Sequence, residues 1–300
     1  MFTGCGTALV TPFNRDLTLD EPTLRRLIRR QIDAGIHFLV PCGTTGESPT
    51  LTHAEHLRVV EICLEEAQGK TPVLAGAGGY NTAEVIALAQ ELERLGVQGI
   101  LSVTPYYNKP TAEGVYQHYQ AIAASIRIPV IVYNVPGRTN VNVAADTLVR
   151  LAEMDNIVGV KEASGAISQI VSILNRVPEN FVVLSGDDAI TLPLMALGGR
   201  GIISVASNVI PSEMARLAEL CLADDFAAAR TLHRTLLPLM EINFIETNPI
   251  PVKASMGLMG LLEPVFRLPL VPPAPENLEK IRTLLKSRGM IEGKYAAVRN

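Results

Sequence analysis

The chain has 300 residues, 48% of them hydrophobic and 19% charged, enough apolar material to bury a large core in one big α/β domain or two smaller ones. Its formal net charge of -4 sets up no basic field of the kind that nucleic-acid binding needs, so small solutes are the expected partners. No apolar run approaches the roughly 20 residues that span a bilayer, and the opening MFTGCGTALV lacks the basic start and long apolar core of a signal peptide, so a cytoplasmic location is expected.

Short β-type runs recur down the chain, each followed by a longer stretch with helical spacing of apolar residues. The first, GTALVTP (6–12), leads to EPTLRRLIRRQIDAG (21–35), an amphipathic helix with Thr18 and Asp20 as candidate caps and a closing glycine. HFLVPCG (37–43) runs into the turn GTTGES (43–48), and PVLAGAG (72–78) precedes a second clear helix, TAEVIALAQELERLG (82–96). GILSVTP (99–105) ends in TPYYNKP, PVIVYNV (129–135) in YNVPGRT, NIVGVKE (156–162) in KEASG and FVVLSGD (181–187) in SGDD; GIISVAS (201–207) is the eighth run.

Continuous apolar strands covered by helices imply a parallel sheet buried on both faces, and eight such units close into a (β/α)8 barrel; a doubly wound open sheet is the alternative. After residue 222 the strand signal vanishes. DDFAAARTLHRTLLPLMEINF, PVKASMGLMGLL and ENLEKIRTLLKSRG read as helices, with PLVPPAPEN (269–277) as a connector. The expected organisation is a catalytic barrel over 1–222 and a C-terminal helical extension over 223–300. Cys5, Cys42, Cys63 and Cys221 form no CxxC pair, which excludes a zinc knuckle or redox motif and makes them reduced core thiols.

The carboxyl ends of barrel strands build active sites, and here those ends are polar. Lys161 closes the apolar run NIVGV. Strict alternation puts Ile157, Gly159 and Lys161 on one strand face and Val158, Val160 and Glu162 on the other, with Gly159 leaving room beneath the amine. An ammonium taken out of water is costly unless it is paired, and an amine that gives up its proton is a Schiff-base nucleophile toward a carbonyl. A lysine snorkelling to the rim is the bland alternative. GTTGES supplies glycines for a tight turn, backbone N–H groups and the hydroxyls of Thr44 and Thr45, together able to hold a carboxylate. Tyr133 and Tyr107 sit at two further rims and can relay protons if hydrogen-bonded. Arg138 offers a fork for a carboxylate. Asp187 and Asp188 make a poor metal pair, because adjacent strand residues diverge, and His53 and His56, three apart on a helix, read as a solvated face; no metal is expected.

GTTGES, VTPYYNKP, YNVPGRT, GVKEASG, LSGDD and NPIPVK (248–253), matched in order, strongly resemble the dihydrodipicolinate synthase family (4-hydroxy-tetrahydrodipicolinate synthase) of pyruvate-dependent Schiff-base lyases, from residue 2 almost to the C-terminus. The tail EGKYAAVRN lies beyond the resemblance. The resemblance implies a barrel without cofactor that condenses pyruvate with L-aspartate 4-semialdehyde on the way to diaminopimelate and L-lysine. In it Lys161 forms the imine, and Tyr133, Thr44 and Tyr107 relay protons, with Tyr107 crossing from a neighbouring subunit of a homotetramer built as a dimer of dimers. Thr45 binds the pyruvate carboxylate, Arg138 meets that of the semialdehyde, and backbone at Gly186 and Ile203 lines the pocket. Ser48, His53, His56, Glu84 and Tyr106 match the family's lysine feedback site, from which this chain departs at Pro49 and Tyr80. Sugar-acid aldolases of the same fold share the lysine and tyrosine, but Arg138 favours a short charged aldehyde. A mere keto-acid binder has no need of Lys161 with two tyrosines.

Overall fold

In a computed structural model of the chain, residues 2–292 are described; the tail from residue 293, most of EGKYAAVRN, lies outside them. Eight parallel strands alternate with helices: β1 Gly4–Ala8, β2 Phe38–Val40, β3 Leu74–Gly76, β4 Gly99–Val103, β5 Val130–Asn134, β6 Ile157–Glu162, β7 Val182–Ser185 and β8 Gly201–Ser204. Seven of them fall inside the runs expected for them, whereas β1 begins two residues before its run, at Gly4. The order β2-β1-β8-β7-β6-β5-β4-β3 becomes a ring through a parallel bridge between Leu39 and Val73, where the Leu39 N–H donates to the Pro72 carbonyl at 2.9 Å. The sheet is therefore a barrel, not the doubly wound alternative.

Two apolar layers follow from the closure. Phe38, Leu74, Leu101, Ile131, Leu184 and Ile203 fill the lumen, while residues such as Leu39, Ile100, Val132 and Val160 face outward into a second core beneath the helices. That outer core runs on into the C-terminal extension, taking in Ala229, Met240, Val252, Met256 and Leu285. The four cysteines are buried and unpaired.

The helices begin and end where local chemistry permits. Helix α1 (Glu21–Asp33) starts at Asp20, whose carboxylate accepts the Thr23 N–H at 3.0 Å. Thr18, the other candidate cap, instead bonds Asp16 within the preceding loop. Helix α2 (His53–Ala67) opens on a Thr52/Glu55 capping box, and α3 (Thr82–Leu95) closes on Gly96 in the left-handed conformation. Then follow α4 (Ala112–Ser125), α5 (Pro136–Thr139), α6 (Ala145–Leu151), α7 (Ile167–Leu174), α8 (Thr191–Ala196) and α9 (Pro211–Leu222). The extension consists of α10 (Phe226–Glu241), α11 (Ile250–Leu258) and α12 (Pro275–Ser287). Among the described residues no helix is long and apolar enough to cross a membrane.

Strict alternation fails at the start of β6. Val130 pairs with Ile157 but Ile131 pairs with Gly159, so the register slips by a residue. As a result Ile157 packs in the outer core beside Val160, and Val158 lies against the lumen. A bulge of this kind rotates the strand locally, and regular alternation resumes from Gly159 to Lys161. Gly159 has its own steric reason: a Cβ there would stand 2.4 Å from the Val182 carbonyl oxygen, so glycine is what allows β7 to pair at this point. Gly159→Ala should lower stability by about 1–3 kcal/mol through overpacking, read as a drop in thermal midpoint. Gly137→Ala, where an added Cβ meets nothing within 4 Å, should leave the midpoint nearly unchanged.

Candidate active site

Parallel pairing sets Tyr133 on β5 opposite Lys161 on β6, and Lys161 opposite Leu184 on β7. Paired residues on neighbouring strands share a face, so tyrosine and lysine both enter the lumen. Lys161 is 6% exposed, and its Nζ lies 4.1 Å from the centroid of the Tyr133 ring. The clearance around its stem comes from Gly186, where a methyl would stand 3.2 Å from Lys161 Cε; Gly159, read from sequence as making that room, serves the β6–β7 approach.

The carboxyl end of β6 is locked from outside the barrel. Glu162 points away from Lys161, is fully buried, and accepts the Ser164 N–H at 2.7 Å and the Asn134 amide at 2.9 Å. Asn134 in turn accepts the Val143 N–H at 2.9 Å. Thr104 holds the end of β5, donating its hydroxyl to the Tyr133 carbonyl at 2.7 Å. Neither Glu162 nor Thr104 carries a local sequence signal for this role, which exists only once the strands are adjacent.

Around this centre the structure gathers most of the expected residues. A cavity of about 640 Å³ is lined by Thr44, Tyr133 and Arg138, and reaches Lys161 only through its neighbour Tyr133; its outer wall is formed by Ser48, Pro49, His53, His56, Tyr80, Glu84 and Tyr106. Thr45 is buried next to Thr44, and Ile203 lies in the lumen. Arg138 sits on α5 and donates to the Asn248 carbonyl at 3.0 Å; the Asn248 amide donates to the Thr45 hydroxyl at 2.9 Å. Asn248 thus touches both residues assigned to carboxylate binding, a link that no local pattern announces across more than a hundred residues.

Tyr107 differs from the buried residues of the site. It is 91% exposed with φ of 67°, and it is not part of the cavity of its own chain. Its neighbour Tyr106 turns inward, edge-on to the Tyr80 ring at a centroid distance of 5.2 Å. On the outer wall His53 pairs with Glu91 at 2.8 Å and His56 with the Gly76 carbonyl at 2.9 Å, so the two imidazoles do not converge; burial lowers the His56 pKa. Among the described residues no group of three or more His, Cys, Asp or Glu is arranged to hold a metal. Asp187 and Asp188 diverge: Asp187 accepts the Ala189 N–H at 2.9 Å, whereas Asp188 accepts from Ser204 Oγ at 2.5 Å and from the Val205 and Ala206 N–H groups at 3.1 and 3.0 Å. Asp188 therefore fixes the chain directly after Ile203.

Fold and site together define a barrel of the enzyme class, with a buried lysine amine and a cluster of polar side chains at the carboxyl ends of its strands. The chain belongs to the dihydrodipicolinate synthetase family, whose model matches residues 1–288. It is 52% identical to the 4-hydroxy-tetrahydrodipicolinate synthase of Chloroherpeton thalassium, over 98% of each chain. Three crystal structures are similar throughout. The dihydrodipicolinate synthase of Aquifex aeolicus has a TM-score of 0.95 at 45% identity, covering 98% of this chain and 100% of that one. The chloride-inhibited enzyme of Acinetobacter baumannii, complexed with pyruvate, has 0.95 at 42%, covering 97% and 100%. That of Cyanidioschyzon merolae, with lysine bound, has 0.93 at 38%, covering 97% and 99%.

Burial raises the Asp188 pKa from 3.8 to about 6, against the pull of its three donors. A carboxyl whose folded pKa is raised contributes stability that is fully present below the unfolded value and is lost as pH rises through about 6. Between pH 7 and pH 5 the wild-type chain should accordingly gain about 1 kcal/mol relative to Asp188→Asn, measured by urea unfolding. Parallel pH dependence in the two proteins would show that Asp188 stays ionised throughout.

Proposed function

We propose that this chain condenses pyruvate with L-aspartate 4-semialdehyde to 4-hydroxy-tetrahydrodipicolinate through an imine on Lys161. The observation that carries the reading is the Lys161 amine, buried at a strand end against Tyr133, a tyrosine that lines one cavity together with Thr44 and Arg138. Lys161 attacks the ketone carbon of pyruvate, and loss of water gives the imine. Removal of a methyl proton yields an enamine, which adds to the aldehyde carbon of the semialdehyde. The substrate's own amine then closes the ring and displaces lysine. One water leaves in all, and Tyr133 is the proton shuttle nearest the amine. Thr45 and adjacent backbone hold the pyruvate carboxylate, Gly186 and Ile203 line the pocket, and Arg138 offers its guanidinium to the carboxylate of the second substrate.

Thr44 belongs to the relay, and Tyr107 completes it from a second copy of the chain. Its exposure and left-handed backbone suit a side chain held out toward a partner, and two such dimers make the homotetramer. Reaction and assembly belong in the cytoplasm, where pyruvate is present. The outer wall formed by Ser48, His53, His56, Glu84 and Tyr106 is an effector site for L-lysine, which Tyr80 and Pro49 also line.

Borohydride reduction in the presence of pyruvate should add one pyruvate-derived mass per chain, on the peptide containing Lys161; an adduct on Lys109 or Lys253 would overturn the assignment. Lys161→Ala should keep the fold and lose nearly all turnover. Inactive Tyr107→Phe and Lys161→Ala chains, mixed and allowed to exchange, should regain activity approaching half the wild-type value per heterodimer, because one of its two sites is intact and the other carries both lesions. Absence of recovery despite verified exchange would mean that Tyr107 acts within its own chain.

A further inference from the structure

Two charged residues in the quoted motifs take no part in this chemistry. Glu47 belongs to GTTGES and Lys253 to NPIPVK, and their side chains form an ion pair of 2.5 Å with neither exposed to solvent. All three donors of the Lys253 ammonium are engaged: one on Glu47 Oε1, one on the Thr11 carbonyl at 3.1 Å and one on the Val265 carbonyl at 2.6 Å. An ammonium with no free donor cannot hold a substrate as well. Neither residue lines the cavity, so any effect on the reaction must pass through the turn that Glu47 belongs to.

That turn has weak reasons of its own to adopt one shape. It contains two glycines, and Glu47 sits at φ of 55°, a left-handed conformation that disfavours residues with a Cβ. Its internal bonds run from Gly46 N–H to the Gly43 carbonyl and from Glu47 N–H to the Thr44 carbonyl, each 3.1 Å. They close the turn without tying it to the barrel. The ties are external: Thr11 Oγ1 donates to the Gly46 carbonyl at 2.7 Å, and Lys253 holds both the Glu47 carboxylate and the Thr11 carbonyl. The result is a closed circuit through Lys253, Glu47, Gly46 and Thr11. Displacing the turn would leave two opposite charges buried and unpaired, which is far costlier than losing apolar contact.

From this circuit we infer that Glu47 and Lys253 are positioning residues for the keto-acid substrate: their buried pair lets the C-terminal extension hold Thr44 and Thr45 in the arrangement that receives the pyruvate carboxylate. The inference rests on the function proposed above and adds what fixes its first binding step.

Glu47 Oε2 has no donor among the described residues, so removing Lys253 alone would strand a buried carboxylate. The test therefore uses the double variant Glu47→Gln/Lys253→Met, which removes both charges while keeping their approximate volume. Pyruvate alone is the probe, and borohydride trapping on Lys161 reads its half-saturating concentration, with the thermal midpoint measured in parallel. The double variant should still trap pyruvate at saturation but need on the order of tenfold more of it. A lowered midpoint with unchanged half-saturation would reduce the pair to a structural strut and overturn the inference. Should the double variant not fold, Thr11→Val, which cuts the circuit at the Gly46 carbonyl, should raise half-saturation severalfold and Thr11→Ser should restore it; wild-type values in Thr11→Val would equally overturn it. Failure of the wild-type chain to trap pyruvate at all would instead bring down the proposed function and this inference with it.

Discussion

Parallel pairing between β5 and β6 is the constraint on which the site depends. It places Tyr133 directly across from Lys161, and ring closure turns both into a lumen already filled below by Phe38, Leu74, Leu101 and Ile131. The apolar layer denies the Lys161 side-chain nitrogen water on one side, and the Tyr133 ring covers it on another. Glu162, one residue on, is bound on the far side of the strand by Ser164 and Asn134. Rotation of the strand end would pull a buried carboxylate off its donors, so the lysine is held in the lumen by its neighbour's attachments outside it.

A second set of constraints comes from the extension. Asn248 reaches Thr45 with its amide and Arg138 with its carbonyl, and Lys253, five residues later, reaches Glu47. Helix α11 is thereby docked on the barrel rim through polar contacts at its start, while Val252 and Met256 enter the outer core. The groups assigned to the two substrate carboxylates are linked through this one segment, although each stands on a different barrel loop.

Much of this was readable from residue order. Alternating apolar runs and amphipathic stretches announce all eight strands, and the polar residues that cluster after them mark the rim. Asp20 and Gly96 behave as their local chemistry dictates. Where local rules misled, a non-local contact was responsible. The slip between Val130 and Ile131 sends Ile157 outward, because strand phase is negotiated with a neighbour. Gly159 answers to the Val182 carbonyl across the sheet, leaving Gly186 to clear the lysine stem.

The sequence by itself determined the element types, the barrel class and which polar side chains stand at the strand ends, because periodicity, turn chemistry and functional-group chemistry act over a few residues. Only the tertiary structure decided that Glu47 and Lys253 share a hydrogen-bonded circuit with Thr11, that one asparagine touches both Thr45 and Arg138, and that Tyr107 stands clear of its own chain's cavity. Such pairings join positions as many as 242 residues apart, and what selects them is the cost of leaving a charge or amide buried without a partner. That cost exists only once the barrel has closed and removed the water.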